Sequence, residues 1–417
     1  MSSSDWPPGN NEAKERFGDD FEKLHIDSRL SIGKAKQLAN VDPVVMPIYQ
    51  STTYRFKTVA QWDEPNHGSN YVYSRCGNPT VENVEVVLAD LEGAAATMVY
   101  NSGLAAVSAV LLEFLSAGDH VVCMKPLYSG TYSFMTETLV RFGVDFTFVD
   151  VEKEQDYAVA VEKAITAKTK LIYMEVIANP SMAVPDILGI IELKKKRNDL
   201  KMVVDATFAS PYLLQPLKIG ADFSLHSCSK YVGGHCDVIA GCVSCASLQD
   251  WTRLKVQQLT TGSALSPVDA ALLTRGLKTL AIRMDKIGQN ALALARHLDA
   301  HPKVSHSYYP GLPSHPQHKS AAKLFPHGNF SGMIGFDVGT EEKAIKLIEN
   351  LRLITLAVSL GGTESLIEHP FAMSHGKQLL RNEEEPPMVA PGLLRFSVGL
   401  ENADDLIADL DRALALI

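Results

Sequence analysis

Between residues 97 and 246, short apolar runs alternate with helical stretches and glycines. The runs fall near 97–100, 120–124, 145–149, 170–176, 201–206, 221–227 and 240–246, and they are rich in β-branched and aliphatic residues. Seven such runs with helices between them predict an α/β architecture, a mostly parallel seven-stranded sheet covered by helices. Residues 105–115 read as an apolar helix stopped by Gly118. A long helix begins near Ser266-Pro267, and from Leu277 onward Leu280, Met284, Ile287, Ala291, Leu294 and Leu298 step by threes and fours along one buried stripe. A strand over 333–338, a helix over 341–351, a strand over 394–398 and a final helix from Ala403 predict a smaller C-terminal α/β domain. Residues 1–66 show few periodicities and are punctuated by Pro7-Pro8, Pro43 and Pro47. The expected organisation is therefore an arm (1–66), a large domain (67–270) and a small domain (271–417).

Composition narrows the function classes. The chain has 417 residues, 46% hydrophobic, with 39 basic against 48 acidic residues. That is room for two domains, and no basic stripe interleaved with aromatics points to nucleic acid. No apolar run reaches membrane-spanning length, and residues 1–23 mix Asp, Glu, Lys and Arg, so the cytoplasm is the expected location. The six cysteines, Cys76, Cys123, Cys228, Cys236, Cys242 and Cys245, are expected to be reduced thiols in a chain of this size. Cys242 and Cys245 form a C-x-x-C, but three residues apart on a strand they face opposite ways. His306, His315 and His318 are irregularly spaced in a turn-rich loop, and no metal site is expected.

The chemistry centres on residues 222–236, Asp-Phe-Ser-Leu-His-Ser-Cys-Ser-Lys-Tyr-Val-Gly-Gly-His-Cys. Lys230 stands where an apolar strand gives way to a glycine-rich loop; partial desolvation there lowers an amine's pKa and frees it to attack a carbonyl. Ser227 and Ser229, at i and i+2, are expected on one side, with hydroxyls available to an anion. Tyr73 and Arg75, in the extended run 71–80, share a face and can both donate to one phosphate. Ser102-Gly103-Leu104 opens the helix after the first strand, a place where backbone N–H groups meet anions. Asp205 ends a buried strand, where a carboxylate wants a cationic partner.

Together these motifs resemble the pyridoxal-phosphate enzymes of cysteine and methionine metabolism, over nearly the whole chain from about residue 40. The resemblance implies fold type I, as in aspartate aminotransferase, with pyridoxal 5'-phosphate as cofactor. It implies that Lys230 carries the cofactor and moves the Cα proton, and that Asp205 pairs with the pyridine nitrogen. Ser102, Gly103, Leu104, Ser227 and Ser229 would hold the phosphate, joined by Tyr73 and Arg75 reaching from a neighbouring subunit. Tyr128 would stack on the ring and help protonate the leaving group. Asn179 would contact the ring hydroxyl and the substrate carboxylate, Arg395 would grip that carboxylate with its rigid fork, and Ser359 would orient Lys230 and the carboxylate. The active unit would be at least a dimer, assembled into a homotetramer. Departures from the family pattern are Ser229 for threonine, Cys236 for a small residue or amide, and Ser129 for glycine.

The expected reaction is γ-elimination of a sulfur amino acid. Relatives that cleave cystathionine usually carry a glutamate before the serine of the 359 loop and an arginine soon after the stacking tyrosine; here Val358 and Ser133 stand there. An uncharged pocket suits methionine, giving 2-oxobutanoate, ammonia and methanethiol. Against this, Gly130 replaces the cysteine common in methionine-cleaving members, and the loop 310–318 looks like that of cystathionine γ-lyases. Cystathionine cleavage at the γ or β carbon is the alternative, then a sulfhydrylase acting on an O-acylhomoserine. A catalytically idle scaffold would have no need of Lys230, Asp205, Tyr128 and Arg395 together.

Overall fold

The computed structural model describes residues 17–32, 43–62, 71–197, 199–374 and 389–417. Much of the expected arm, Pro7-Pro8 included, lies outside these residues. Seven strands, β1 (Ala96–Tyr100), β2 (His120–Lys125), β3 (Asp145–Asp150), β4 (Thr169–Glu175), β5 (Lys201–Asp205), β6 (Phe223–Ser227) and β7 (Gly241–Cys245), fall within a residue or two of the apolar runs. They form one sheet in the order β1-β7-β6-β5-β4-β2-β3. The pairs β2/β3, β2/β4 and β4/β5 are parallel, while β7 runs antiparallel to β1 and β6. A second sheet holds β8 (His306–Tyr308), β9 (Met333–Asp337), β10 (Thr355–Leu356), β11 (Leu366–Glu368) and β12 (Leu393–Ser397) in the order β10-β11-β12-β9-β8.

The chain divides into two compact units, each discontinuous in sequence. The first takes the described residues of Met1–Leu115, Gln215–Gly233 and Asp237–Ala281. Here the helix Pro79–Glu92 buries Val84, Val87, Leu88 and Leu91 and packs on β1. Its start ends the extended run earlier than expected: Pro79 sits at the first turn, and Asn78 caps it by accepting the Thr80 N–H at 2.9 Å. The helix Gly103–Phe114 lies against β6 and β7.

The second unit comprises Ser116–Leu214, Gly234–Cys236 and Ile282–Ile417. Its cores are the apolar strands β2, β4 and β5 and the five-stranded sheet, where the helices Glu341–Ile348 and Ala403–Leu414 pack together.

The expected single long helix is two, Pro267–Leu277 and Leu280–Ala300. Gly276 explains the break: a Cβ there would lie 2.2 Å from the Gly233 carbonyl oxygen, so the first helix closes onto that loop, and the Thr279 N–H turns back to the Gly276 oxygen at 3.2 Å. The stripe from Leu280 to Leu298 is fully buried as expected.

Candidate active site

In the first unit, β6 delivers Ser227 and the chain then turns twice. The Lys230 N–H bonds the Ser227 oxygen at 3.2 Å, and the Gly233 N–H bonds the Cys228 oxygen at 2.8 Å. Tyr231 and Val232 are buried, which pins the half-buried Lys230 in place. Because the strand ends at Ser227, strand alternation does not carry to Ser229, and the geometric reason for expecting both hydroxyls on one side fails. The Ser229 hydroxyl instead brackets one residue, accepting from the Ala240 N–H at 2.9 Å and donating to the Ala240 oxygen at 3.2 Å.

The start of the helix Gly103–Phe114 is pressed against Ser227. A Cβ at Gly103 would come within 2.8 Å of the Ser227 Cβ and Oγ, and one at Gly241 within 2.3 Å of the Ser102 oxygen. Only glycine fits at either place. Ser102 caps the helix, its Oγ accepting the Ala105 N–H at 3.0 Å. A helix N-terminus with open backbone N–H groups, stripped of Cβ and set beside a hydroxyl, is a cradle for a phosphate. Leu104, Tyr73 and Arg75 are exposed, with the guanidinium 5.5 Å from the Tyr73 ring and donating to the Leu259 oxygen.

In the second unit the remaining residues form one connected network. Asp205 ends β5, where its oxygens accept the Tyr173 hydroxyl at 3.2 Å and the Thr207 N–H at 2.9 Å. Glu175 ends β4 in register with Asp205. It is buried, and burial together with the neighbouring charge of Asp205 holds its pKa well above the usual carboxylate range. Glu175 accepts the backbone N–H of Tyr128 at 2.7 Å and that of Asn179 at 3.3 Å. The Asn179 side-chain oxygen accepts from Arg395 at 3.0 Å.

Arg395 lies on β12 opposite Glu368 of β11, pairs with that carboxylate at 3.1 Å, and donates to the Ser359 carbonyl oxygen at 3.0 Å. Both members of the ion pair are buried. Ser359 has φ 85°, a left-handed conformation that costs a non-glycine residue on the order of 1 kcal/mol or more. The observed contact of Ser359 with Arg395 thus runs through its main chain. Tyr128 is half exposed, and its ring lies over Gly130: a Cβ at 130 would stand 2.7 Å from the ring.

Each unit, taken by itself, carries groups whose chemistry suits pyridoxal phosphate. Unit one supplies a Cβ-free helix start with a hydroxyl beside it, and a lysine held in a turn. Unit two supplies an anchored carboxylate at a strand end, the counterpart of a protonated pyridine, and a buried guanidinium aimed by an amide. Reading the chain by motif missed Glu175, Tyr173 and Glu368. Glu175 carries the same signal as Asp205, a carboxylate closing an apolar parallel strand; Glu368 sits in a strand too short to register. No His/Cys/Asp/Glu cluster able to hold a metal occurs among the described residues. No disulfide joins the six cysteines.

A model of the Cys/Met metabolism PLP-dependent enzymes matches residues 29–415. The cystathionine γ-lyase of Bacillus subtilis is 42% identical over 373 residues, 89% of this chain and 94% of that protein. The L-methionine γ-lyase of Fusobacterium nucleatum subsp. polymorphum is 41% identical over 378 residues, 90% of this chain and 94% of its own. The crystal structure of metB from Corynebacterium glutamicum superposes with a TM-score of 0.87 at 39% identity, covering 95% of this chain and 99% of that one.

Proposed function

The chain belongs to the Cys/Met metabolism PLP-dependent enzymes, a carbon–sulfur lyase of fold type I, and we propose that its reaction is γ-elimination of methionine to 2-oxobutanoate, ammonia and methanethiol. One observation carries the choice of substrate. Val358, immediately before Ser359, presents an uncharged side chain that is 56% exposed. Ser133 closes the helix Ser129–Ser133 that follows Tyr128. A second amino-acid head, as in cystathionine, finds no charge at either position, whereas a thioether needs none. The relatives divide between the two activities, and the loop 310–318 favours cystathionine; it lies outside the network around Arg395, whereas Val358 adjoins Ser359 of that network and weighs more.

The assignment gives each residue one task. Arg395, aimed by Glu368 and Asn179, takes the substrate carboxylate with two parallel donors. Lys230 Nζ carries the cofactor and moves protons at Cα and Cβ. Tyr128 Oη gives the proton with which the thiolate leaves, and Asp205 keeps the pyridine nitrogen protonated. The helix start at Gly103, with Ser102, Leu104 and Ser227, holds the phosphate, and Ser229 joins them by turning its hydroxyl proton from the Ala240 oxygen to the anion. Bound pyridoxal phosphate supplies an electron sink for charge developing at the substrate Cα. Exposed Tyr73 and Arg75 are assigned to the phosphate of a neighbouring subunit, in a homodimer paired into a homotetramer. We place the enzyme in the cytoplasm; among the described residues no helix is long and apolar enough to cross a membrane.

Val358→Glu tests the substrate choice. It should raise kcat/KM for cystathionine relative to methionine about tenfold, the effect of one charge contact worth ~1.4 kcal/mol. An unchanged ratio would remove Val358 as the determinant.

A further inference from the structure

Glu175 has a place in the second unit that the reaction as assigned does not use. It ends β4 in register with Asp205, is 5% exposed, and accepts two main-chain amides, Tyr128 at 2.7 Å on one oxygen and Asn179 at 3.3 Å on the other. Tyr128 opens the segment after β2 and Asn179 the segment after β4, so a single carboxyl ties two separate loops to one strand end. The connection continues, because the Asn179 side chain accepts from Arg395 at 3.0 Å.

We propose that Glu175 is a positioning residue that sets Tyr128 and Asn179 jointly, through their backbone amides. It thereby fixes the distance between the leaving-group proton donor and the carboxylate grip. The inference rests on the roles assigned above to Tyr128 and Asn179. A residue that merely filled this space would be better apolar, since burial and the charge of Asp205 both oppose ionisation of a carboxyl here. What a carboxyl group offers, protonated or not, and other side chains of its size do not, is two oxygens on one rigid plane that can each accept an N–H. Glutamine keeps the volume but has one acceptor, so its NH2 would face one of the two N–H groups. Aspartate keeps both acceptors on a shorter stem.

The test uses full-length, cofactor-loaded wild type, Glu175→Gln, Glu175→Asp, Tyr128→Phe and the Glu175→Gln/Tyr128→Phe double variant. Near-visible circular dichroism of the cofactor, the pyridoxal phosphate dissociation constant, kcat, KM and thermal unfolding are measured. Glu175→Gln should unfold near the wild-type temperature, while its cofactor ellipticity falls about twofold, kcat drops about tenfold and KM rises severalfold, as expected for reacting groups misplaced by less than an ångström. Glu175→Asp should recover part of each, and Tyr128→Phe should cost less in the Glu175→Gln background than alone. Wild-type ellipticity, kcat and KM in Glu175→Gln overturn the proposal, as do losses that follow unfolding alone and add independently to Tyr128→Phe. If Tyr128→Phe itself leaves turnover and ellipticity unchanged, the role of Tyr128 falls and this inference with it. If Tyr128→Phe is impaired and Glu175→Gln is not, only this inference falls.

Discussion

The carboxylate-binding role proposed for Arg395 rests on what stands behind the side chain. Its guanidinium is buried against Glu368 at 3.1 Å and steadied by Asn179 and the Ser359 carbonyl, so the fork is held in one orientation, as a preorganised carboxylate grip would need. Arg395→Ala should weaken amino-acid binding by roughly 2–5 kcal/mol, as expected for truncating one partner of a buried charge pair. Removing the arginine also strands the Glu368 carboxylate, so Arg395→Lys, which keeps the charge but not the fork, is the companion variant. Titration with unreactive glycine, followed in the cofactor's visible band, reads binding directly. Loss of turnover with glycine binding intact would take Arg395 out of the carboxylate site.

At the scale of elements, the seven strands of the larger sheet were legible because each is a run of five to seven residues, apolar for much of its length or, in β3 and β6, alternating, with turns or helices on either side. Strands of two or three residues, β8, β10 and β11, were not, since their pairing depends on neighbours far along the chain. Lys230, Asp205 and Arg395 stood out because each breaks an apolar pattern near a strand or strand end. Glu175 broke the pattern in the same way but belonged to no quoted motif, and its meaning appears only with the Tyr128 and Asn179 amides folded onto it. The break at Gly276 was hidden for a related reason: the Gly233 backbone that forces it is 43 residues away, at a separation that periodicity does not sense.

The loop around His315 shows that an expected non-metal histidine still has physical consequences. His315 is buried, its Nδ1 accepts the Gln317 N–H at 3.2 Å, and burial pushes its pKa down from 6.5 to about 4. The folded value lies below the unfolded one, so between about pH 6.5 and pH 4 the unfolded chain binds more protons. Stability therefore falls as pH drops through that window, by roughly 3 kcal/mol in total from this residue. Urea unfolding at pH 7 and pH 5 should show a smaller pH-dependent loss for His315→Gln than for wild type; equal losses would mean that His315 does not titrate on unfolding.

For the whole molecule, the role proposed for Tyr73 and Arg75 means that copies of the chain complete one another. Tyr73 and Arg75 are exposed and adjacent, and they are assigned to a neighbour's phosphate site while Lys230 serves its own. Arg75→Ala and Lys230→Ala should each be inactive alone. Reassembled from an equal mixture, half of the dimers carry both variants and keep one intact site, so activity should return to about a quarter of wild type. No recovery from dimers shown by native mass spectrometry to have exchanged subunits would place Arg75 in its own chain's site or outside the chemistry.

The choice of methionine proposed above rests on the uncharged side chains at Val358 and Ser133, and it is tested most directly by the 2-oxo acid made by purified, cofactor-loaded enzyme given methionine or cystathionine, identified by mass. Methionine should give 2-oxobutanoate, matched mole for mole by methanethiol. Inert methionine with active cystathionine would contradict it, and pyruvate as the product from cystathionine would make the enzyme a β-lyase.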